Sequence, residues 1–213
     1  MPFADRTEAG RRLAAALEAY RGRRPVVLAL PRGGVPVAEQ VATALGAPLD
    51  LILVRKIGVP SQPELAMGAV VDGSRPLIVR NDDVIRMIGI SETAFQAVCA
   101  RELKEIERRR RSYLGDRAPV EVAGRAAIVI DDGIATGATT RAALRATRAR
   151  HPATLVLAVP VAPIDTLAGL RREVDAIVCL ESPEDFDAIG MFYDDFRQVT
   201  DQEVTRSLKR AAR

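Results

Sequence analysis

Apolar residues recur at helical spacing near the start of the chain, at Ala9, Leu13, Ala16, Leu17 and Tyr20, behind a candidate cap at Asp5. They predict a helix over about 5–20. The spacing then tightens into unbroken apolar runs. PVVLAL (25–30), LDLILV (49–54), AAIVI (126–130), TLVLAVPV (154–161) and AIVCL (176–180) each read as a short strand buried on both faces. Helical patterns lie between them: 37–45, closed by Gly46; 82–113, in two pieces divided near Gly89 with Ser91 capping the second; 139–150; and 164–172. Two shorter strand candidates, GAVV (68–71) and PLIVR (76–80), follow a loop, IGVPSQPELAMG (57–68), that carries two prolines. A last helix begins near Asp201. Strand and helix alternate over short connections, so we expect one α/β domain, 1–213, built on a parallel, doubly wound sheet flanked by helices, with a helical insertion over about 81–115.

In such a sheet, ligands sit outside the carboxyl ends of the strands. Three segments share that place: PRGG (31–34), RKIGVP (55–60) and DDGIATGATT (131–140). Composition narrows what they hold. With 4% aromatics and no Trp, the interior of this 213-residue chain falls to Val, Leu, Ile and Ala. The formal charge is only +3, from 31 Lys and Arg against 28 Asp and Glu, which disfavours a dedicated nucleic-acid binder and admits small anionic ligands. Cys99 and Cys179 lack metal-ligand spacing and read as buried thiols in a reducing compartment. No apolar run reaches membrane-spanning length, and MPFADRTEAGRRL lacks the apolar stretch of a signal peptide. The expectation is a cytoplasmic protein without a membrane partner.

The most informative stretch is AAIVIDDGIATGATTRAAL (126–144). Gly133 and Gly137 let successive N–H groups turn inward, the helix after them adds its N-terminal dipole, and Thr136, Thr139 and Thr140 offer hydroxyls, so the loop suits one phosphate. It is neither a Walker A loop nor a dinucleotide fingerprint, since it lacks both the lysine and the glycine spacing. Asp131 and Asp132 would repel a phosphate. Vicinal hydroxyls are their natural partners, so the two halves together describe a phosphorylated sugar. In PRGG, Gly33 and Gly34 allow close approach of backbone N–H groups to a diphosphate, and Arg32 adds charge. Arg55 and Lys56 either neutralise the same diphosphate or end a strand at the surface.

Branched apolar residues, two acids and then G-x-A-T-G-x-T-T resemble the 5-phosphoribosyl 1-diphosphate (PRPP) motif of the type I phosphoribosyltransferases, above all bacterial members whose acceptor is undefined. LPRGG (30–34) sits where that family has its diphosphate loop, often with a cis non-proline peptide. The resemblance spans roughly 25–180. It implies Mg²⁺-dependent transfer of the phosphoribosyl group from PRPP to a nitrogenous acceptor with release of diphosphate. The ribose 5-phosphate would lie on Asp131, Asp132, Gly133, Ala135, Thr136, Gly137, Ala138, Thr139 and Thr140, and the diphosphate on Arg32, Gly33, Gly34, Arg55 and Lys56. Asp131 or Asp132 would serve the proton transfer. Magnesium would be held by ligand oxygens and water, without a dedicated protein cluster. The C-terminal segment, about 181–213, corresponds to a hood. There Phe186, Met191, Phe192 and Tyr193 would either stack on the acceptor or close the core. The sequence departs from the purine-specific members at LAVPVAP (157–163), which has no lysine where they usually carry one.

Two rival readings remain: a regulator that senses PRPP or a nucleotide without turnover, and an interaction protein using residues 91–113. In RELKEIERRRR (101–111), pairs Glu105–Arg109 and Glu107–Arg111 read as a solvated helix face, and the stripe Phe95, Val98, Cys99, Leu103 and Ile106 packs either on the core or on a second subunit of a homo-oligomer. His151, before Pro152, reads as a helix C-cap rather than a catalytic base.

Overall fold

The computed structural model describes residues 2–73 and 76–211. Five parallel strands form the central sheet: β1 (Val26–Ala29), β2 (Leu49–Leu51), β6 (Ala126–Ile130), β7 (Thr154–Val161) and β8 (Ala176–Glu181), in the order β2-β1-β6-β7-β8. Side chains alternate across it. Val27, Ala29, Ile128 and Ile130 pack under α1 (Arg6–Ala16) and α2 (Gly34–Leu45), which contribute Leu13, Val41 and Leu45. Val26, Leu28, Ala127 and Val129 face α5 (Ala138–Arg148) and α6 (Ile164–Leu170), with Ala143, Leu144 and Leu170. Burial on both faces explains why each strand reads as a solid apolar run. The predicted caps form: the Asp5 carboxylate accepts from the N–H of Glu8 at 2.7 Å, Gly46 closes α2 in the left-handed region (φ 60°), and Ser91 accepts from the N–H of Ala94. His151 lies three residues past α5, also left-handed (φ 54°), and its carbonyl accepts from Gly124.

The structure departs from the predicted elements between the second strand and the central motif. LDLILV is not one strand. β2 ends at Leu51, and after Ile52 and Leu53 the chain enters a second, antiparallel sheet of β3 (Val54–Val59), β4 (Gln62–Val71) and β5 (Leu77–Arg80). The predicted proline-bearing loop is its first hairpin. Val59 pairs with Gln62 around Pro60–Ser61, and a register shift absorbs Pro63 where β5 does not yet run alongside. Ile57, Val59, Met67 and Val70 join the cluster under α1 and α2, while Val54, Ala69 and Val79 lean toward α5.

Two helices follow, α3 (Asp82–Ile88) and α4 (Glu92–Leu114). α4 is no free charged rod. Phe95, Val98, Cys99, Ile106 and Tyr113 are buried within this molecule, and Leu103 is partly buried there. Glu105 pairs with both Arg108 and Arg109; no Glu107–Arg111 pair forms among the described residues. The predicted hood is also shorter than 181–213. The final helix, α7 (Asp201–Ala211), packs on α2 and α4. Arg210 meets Glu39 at 2.9 Å, and the Tyr113 hydroxyl donates to Asp201 at 2.7 Å. The irregular stretch with its 3-10 turn at Ile189–Phe192 reaches the end of β6, and the first residue of α7, Asp201, reaches Arg32 after β1; residues 212–213 of the predicted hood lie outside the described residues.

Candidate functional site

The order β2-β1-β6 places a topological switch between β1 and β6. From β1 the chain crosses through α2 on one face of the sheet, and from β6 through α5 on the other, so the two outgoing loops part and leave a crevice at the carboxyl ends. PRGG and DDGIATGATT are those two loops. The last paired residues are Ala29 and Ile130, and Leu30 donates to the Ile130 carbonyl at 2.9 Å. The Pro31–Arg32 peptide is cis.

The end of β6 explains the two glycines of PRGG. A Cβ on Gly34 would stand 2.7 Å from the Ile130 carbonyl oxygen and 2.8 Å from Asp131 Cα, and a Cβ on Gly33 would strike the Asp132 carboxylate. Two acids therefore occupy the space that two absent side chains leave. Gly137 enters α5 in the left-handed region (φ 75°), and no acidic residue occupies the first turn of that eleven-residue helix, so its N-terminal field is uncompensated. Ala135, Thr136, Ala138 and Thr139 are exposed, and Gly133, Gly137 and Thr140 are buried. The glycine–threonine turn is open to an anion.

The two aspartates differ. Asp132 is 8% exposed, and its Oδ2 accepts from Arg6 Nε at 2.7 Å. Arg6 is itself packed over the Phe196 ring at 3.9 Å and donates from Nη1 to the Arg197 carbonyl. The carboxylate read as free for a diol is thus held by an arginine that the sequence did not mark. A sugar hydroxyl can reach Asp132 only by sharing it with Arg6. Asp131 is only partly buried, and its Oδ1 accepts from the N–H of Asp132 at 2.9 Å. Burial, followed by the neighbouring Asp132 charge, pushes its carboxyl well above the usual carboxylate range.

Arg55 and Lys56 are separated because neighbouring residues of a strand point to opposite faces. Arg55 lines a small cavity beside Pro31 and Thr139 and is anchored by the buried Glu102 at 2.7 Å; Lys56 turns outward to Glu64 at 2.9 Å. Arg32 is partly exposed, 3.7 Å from Asp201. The four aromatic-segment residues also part. Tyr193 is buried between Phe3 and Phe196, its hydroxyl donating to the Asp132 carbonyl at 2.6 Å, so it closes the core instead of facing a ligand. Phe186 and Phe192 stack on each other at 5.6 Å, and Met191 is exposed. Ile189, not named from the sequence, is the hood residue that meets Gly133.

Among the described residues no three of His, Cys, Asp or Glu cluster as a metal site, and no helix is long and apolar enough to cross a membrane. A divalent ion at the crevice would find Asp131 as its accessible carboxylate.

Comparison with known proteins bears on the family and the fold. A family model described as a phosphoribosyl transferase domain matches residues 5–87. A protein of Mycobacterium tuberculosis named "Putative phosphoribosyl transferase Rv0571c" is 48% identical over 99% of this chain, which spans 47% of that relative, about half its length. The crystal structure of TT1426 from Thermus thermophilus superposes with a TM-score of 0.84 at 40% identity, covering 98% of each chain. A hypothetical protein from Neisseria gonorrhoeae, solved with bound ppGpp, shares the fold at 16% identity and a TM-score of 0.51, covering 100% of this chain and 96% of its own. The chain belongs to the phosphoribosyl transferase family.

Proposed function

We propose that the chain transfers the 5-phosphoribosyl group of PRPP to a nitrogenous acceptor, a nucleobase or small amine, and releases diphosphate. The observation that carries this reading is the meeting of two glycine turns at the switch between β1 and β6, one opening α2 and the other opening α5 with an uncompensated N-terminus. The glycine–threonine turn would take the 5′-phosphate on backbone N–H groups and the Thr136 and Thr139 hydroxyls. Asp131 would accept from the ribose hydroxyls, with Asp132 oriented behind it by Arg6. Gly33, Gly34, Arg32 and Arg55 would gather the diphosphate. Positive charge grows on the sugar and negative charge on the leaving group, so catalysis rests on groups already fixed in place. The raised Asp131 carboxyl suits proton exchange with the acceptor nitrogen. Magnesium, when bound, would supply charge neutralisation for the leaving diphosphate, and Asp131 is the carboxylate of this chain that could hold it.

Diphosphate release from PRPP, measured across a panel of bases and small amines, tests the reading. Release should require one acceptor and magnesium, and should stop in chelator; release that persists in chelator contradicts the metal role. A second reading, a PRPP- or nucleotide-sensing regulator, draws support from the Arg6 grip on Asp132 and from a 157–163 segment without lysine. It predicts PRPP binding without release for any acceptor. No PRPP binding at all would defeat both.

A further inference from the structure

Arg109 is the odd member of a buried stripe. Glu102, Ile106, Arg109 and Tyr113 follow one another at spacings of four, three and four, so they share one face of α4. Glu102, Ile106 and Tyr113 are buried against the molecule, whereas the Arg109 side chain keeps 35% of its surface exposed. It is exposed where the stripe passes the carboxyl ends of β1 and β2. There a cavity of about 30 Å³ is lined by Pro31, Leu53, Arg55, Ile106, Arg109 and Thr139. That volume is roughly the share of one water molecule in the liquid, so it admits one oxygen atom and no ring.

We propose that Arg109 is a third diphosphate-binding guanidinium, which closes with Arg55 on a phosphoryl oxygen of PRPP at the mouth of this cavity. The inference rests on the PRPP reading given above. Both guanidiniums are pre-set by acids: Glu102 accepts from Arg55 Nε at 2.9 Å, and Glu105 accepts from Arg109 Nε at 2.8 Å, leaving the Arg109 Nη groups for another acceptor. Glu105 serves Arg108 as well, and those two arginines hold its carboxyl down to about 2. Glu105 thus takes the Nε edge of Arg109 and leaves its outer edge toward the cavity. A plain surface ion pair would explain the contact with Glu105. It would not explain why this arginine alone continues a buried stripe to the edge of a polar cavity. The parallel sheet contributes Arg55 only indirectly, through the inserted hairpin, and α4 completes the pair from the same insertion. Two of the three guanidiniums on the diphosphate therefore come from the segment between β2 and β6.

Titration calorimetry of the full chain with PRPP, with diphosphate and with ribose 5-phosphate tests this. Arg109→Gln should weaken PRPP and diphosphate by about 10- to 100-fold and leave ribose 5-phosphate unchanged. Arg109→Lys should recover only part of the loss, because an ammonium lacks the two-pronged geometry. Arg108→Gln removes the same charge from the same acid but does not line the cavity, so it should bind diphosphate like the parent. An Arg109→Gln protein with unaltered diphosphate affinity overturns the proposal, as does an Arg108→Gln protein that loses as much. If the parent chain binds neither PRPP nor ribose 5-phosphate, the sugar reading itself fails. If it binds both and only the Arg109 prediction misses, the failure belongs to this inference alone.

Discussion

Asp131 and Asp132 are adjacent carboxylates with opposite effects on the folded state. The Asp131 carboxyl is raised in the folded chain, so the native state holds that proton more tightly than the unfolded one. Its contribution to stability is present below the ordinary carboxylate range and is lost as pH rises toward the raised value. As pH rises above the ordinary carboxylate range, ionising this group opposes folding. Asp131→Asn should therefore raise the melting temperature at pH values above the ordinary carboxylate range and flatten its fall as pH rises from about pH 4, while abolishing ribose-dependent binding. Thermal scans across that range check it, and a lower melting temperature at every pH contradicts the assignment. Asp132→Asn should act the other way. It strips the counter-charge from the buried Arg6 and should cost about 3–5 kcal/mol in denaturant titrations.

At the scale of elements, the strand-to-helix turns are the parts with least tolerance. The Cβ of Gly34→Ala would press on the Ile130 carbonyl and on Asp131 Cα, both backbone atoms of the neighbouring strand end, which cannot rotate away. We expect a loss of about 1–3 kcal/mol and weakened diphosphate binding, read by urea unfolding and calorimetry; a fully stable, binding-competent Gly34→Ala protein would show that the two loops are not locked together. These turns were legible in the sequence because their chemistry is local: glycines, threonines and acids at fixed offsets announce a loop whatever surrounds it. The hairpin of β3 and β4 was not. Pro60 and Pro63 mark it as a loop, and the alternation of Ile57 and Val59 is too short to outweigh them. The break of LDLILV at Ile52 was equally hidden, because residues buried on both sides look the same whether the chain stays in one sheet or leaves it. Arg6 was missed for another reason. Its partner Asp132 is 126 residues away, and nothing in a helix N-terminus tells which of its arginines will be buried. Lys56 was grouped with Arg55 by sequence adjacency, the very relation that separates two side chains on a strand.

For the whole molecule, the crevice is closed by contacts between distant parts of the chain. Phe3 is fully buried and forms a parallel bridge with Tyr193; its N–H donates to the Phe192 carbonyl at 2.8 Å, and its own carbonyl accepts from Asp194 at 2.8 Å. The segment 2–6 thus straps the hood, and within that strap Arg6 reaches down to Asp132 while the Tyr193 hydroxyl meets the Asp132 carbonyl. Hood, first helix and acid pair are thus joined by direct contacts. Phe3→Ala should cost about 3–5 kcal/mol if this strap unfolds with the rest of the molecule. If it opens on its own, global stability should fall by less, and the amides of Tyr193, Asp194 and Asp195 should lose hydrogen-exchange protection while those of β1 and β6 keep theirs. Either result requires the hood amides to exchange faster than in the parent. Unchanged protection at those three amides would mean that Phe3 does not hold the hood.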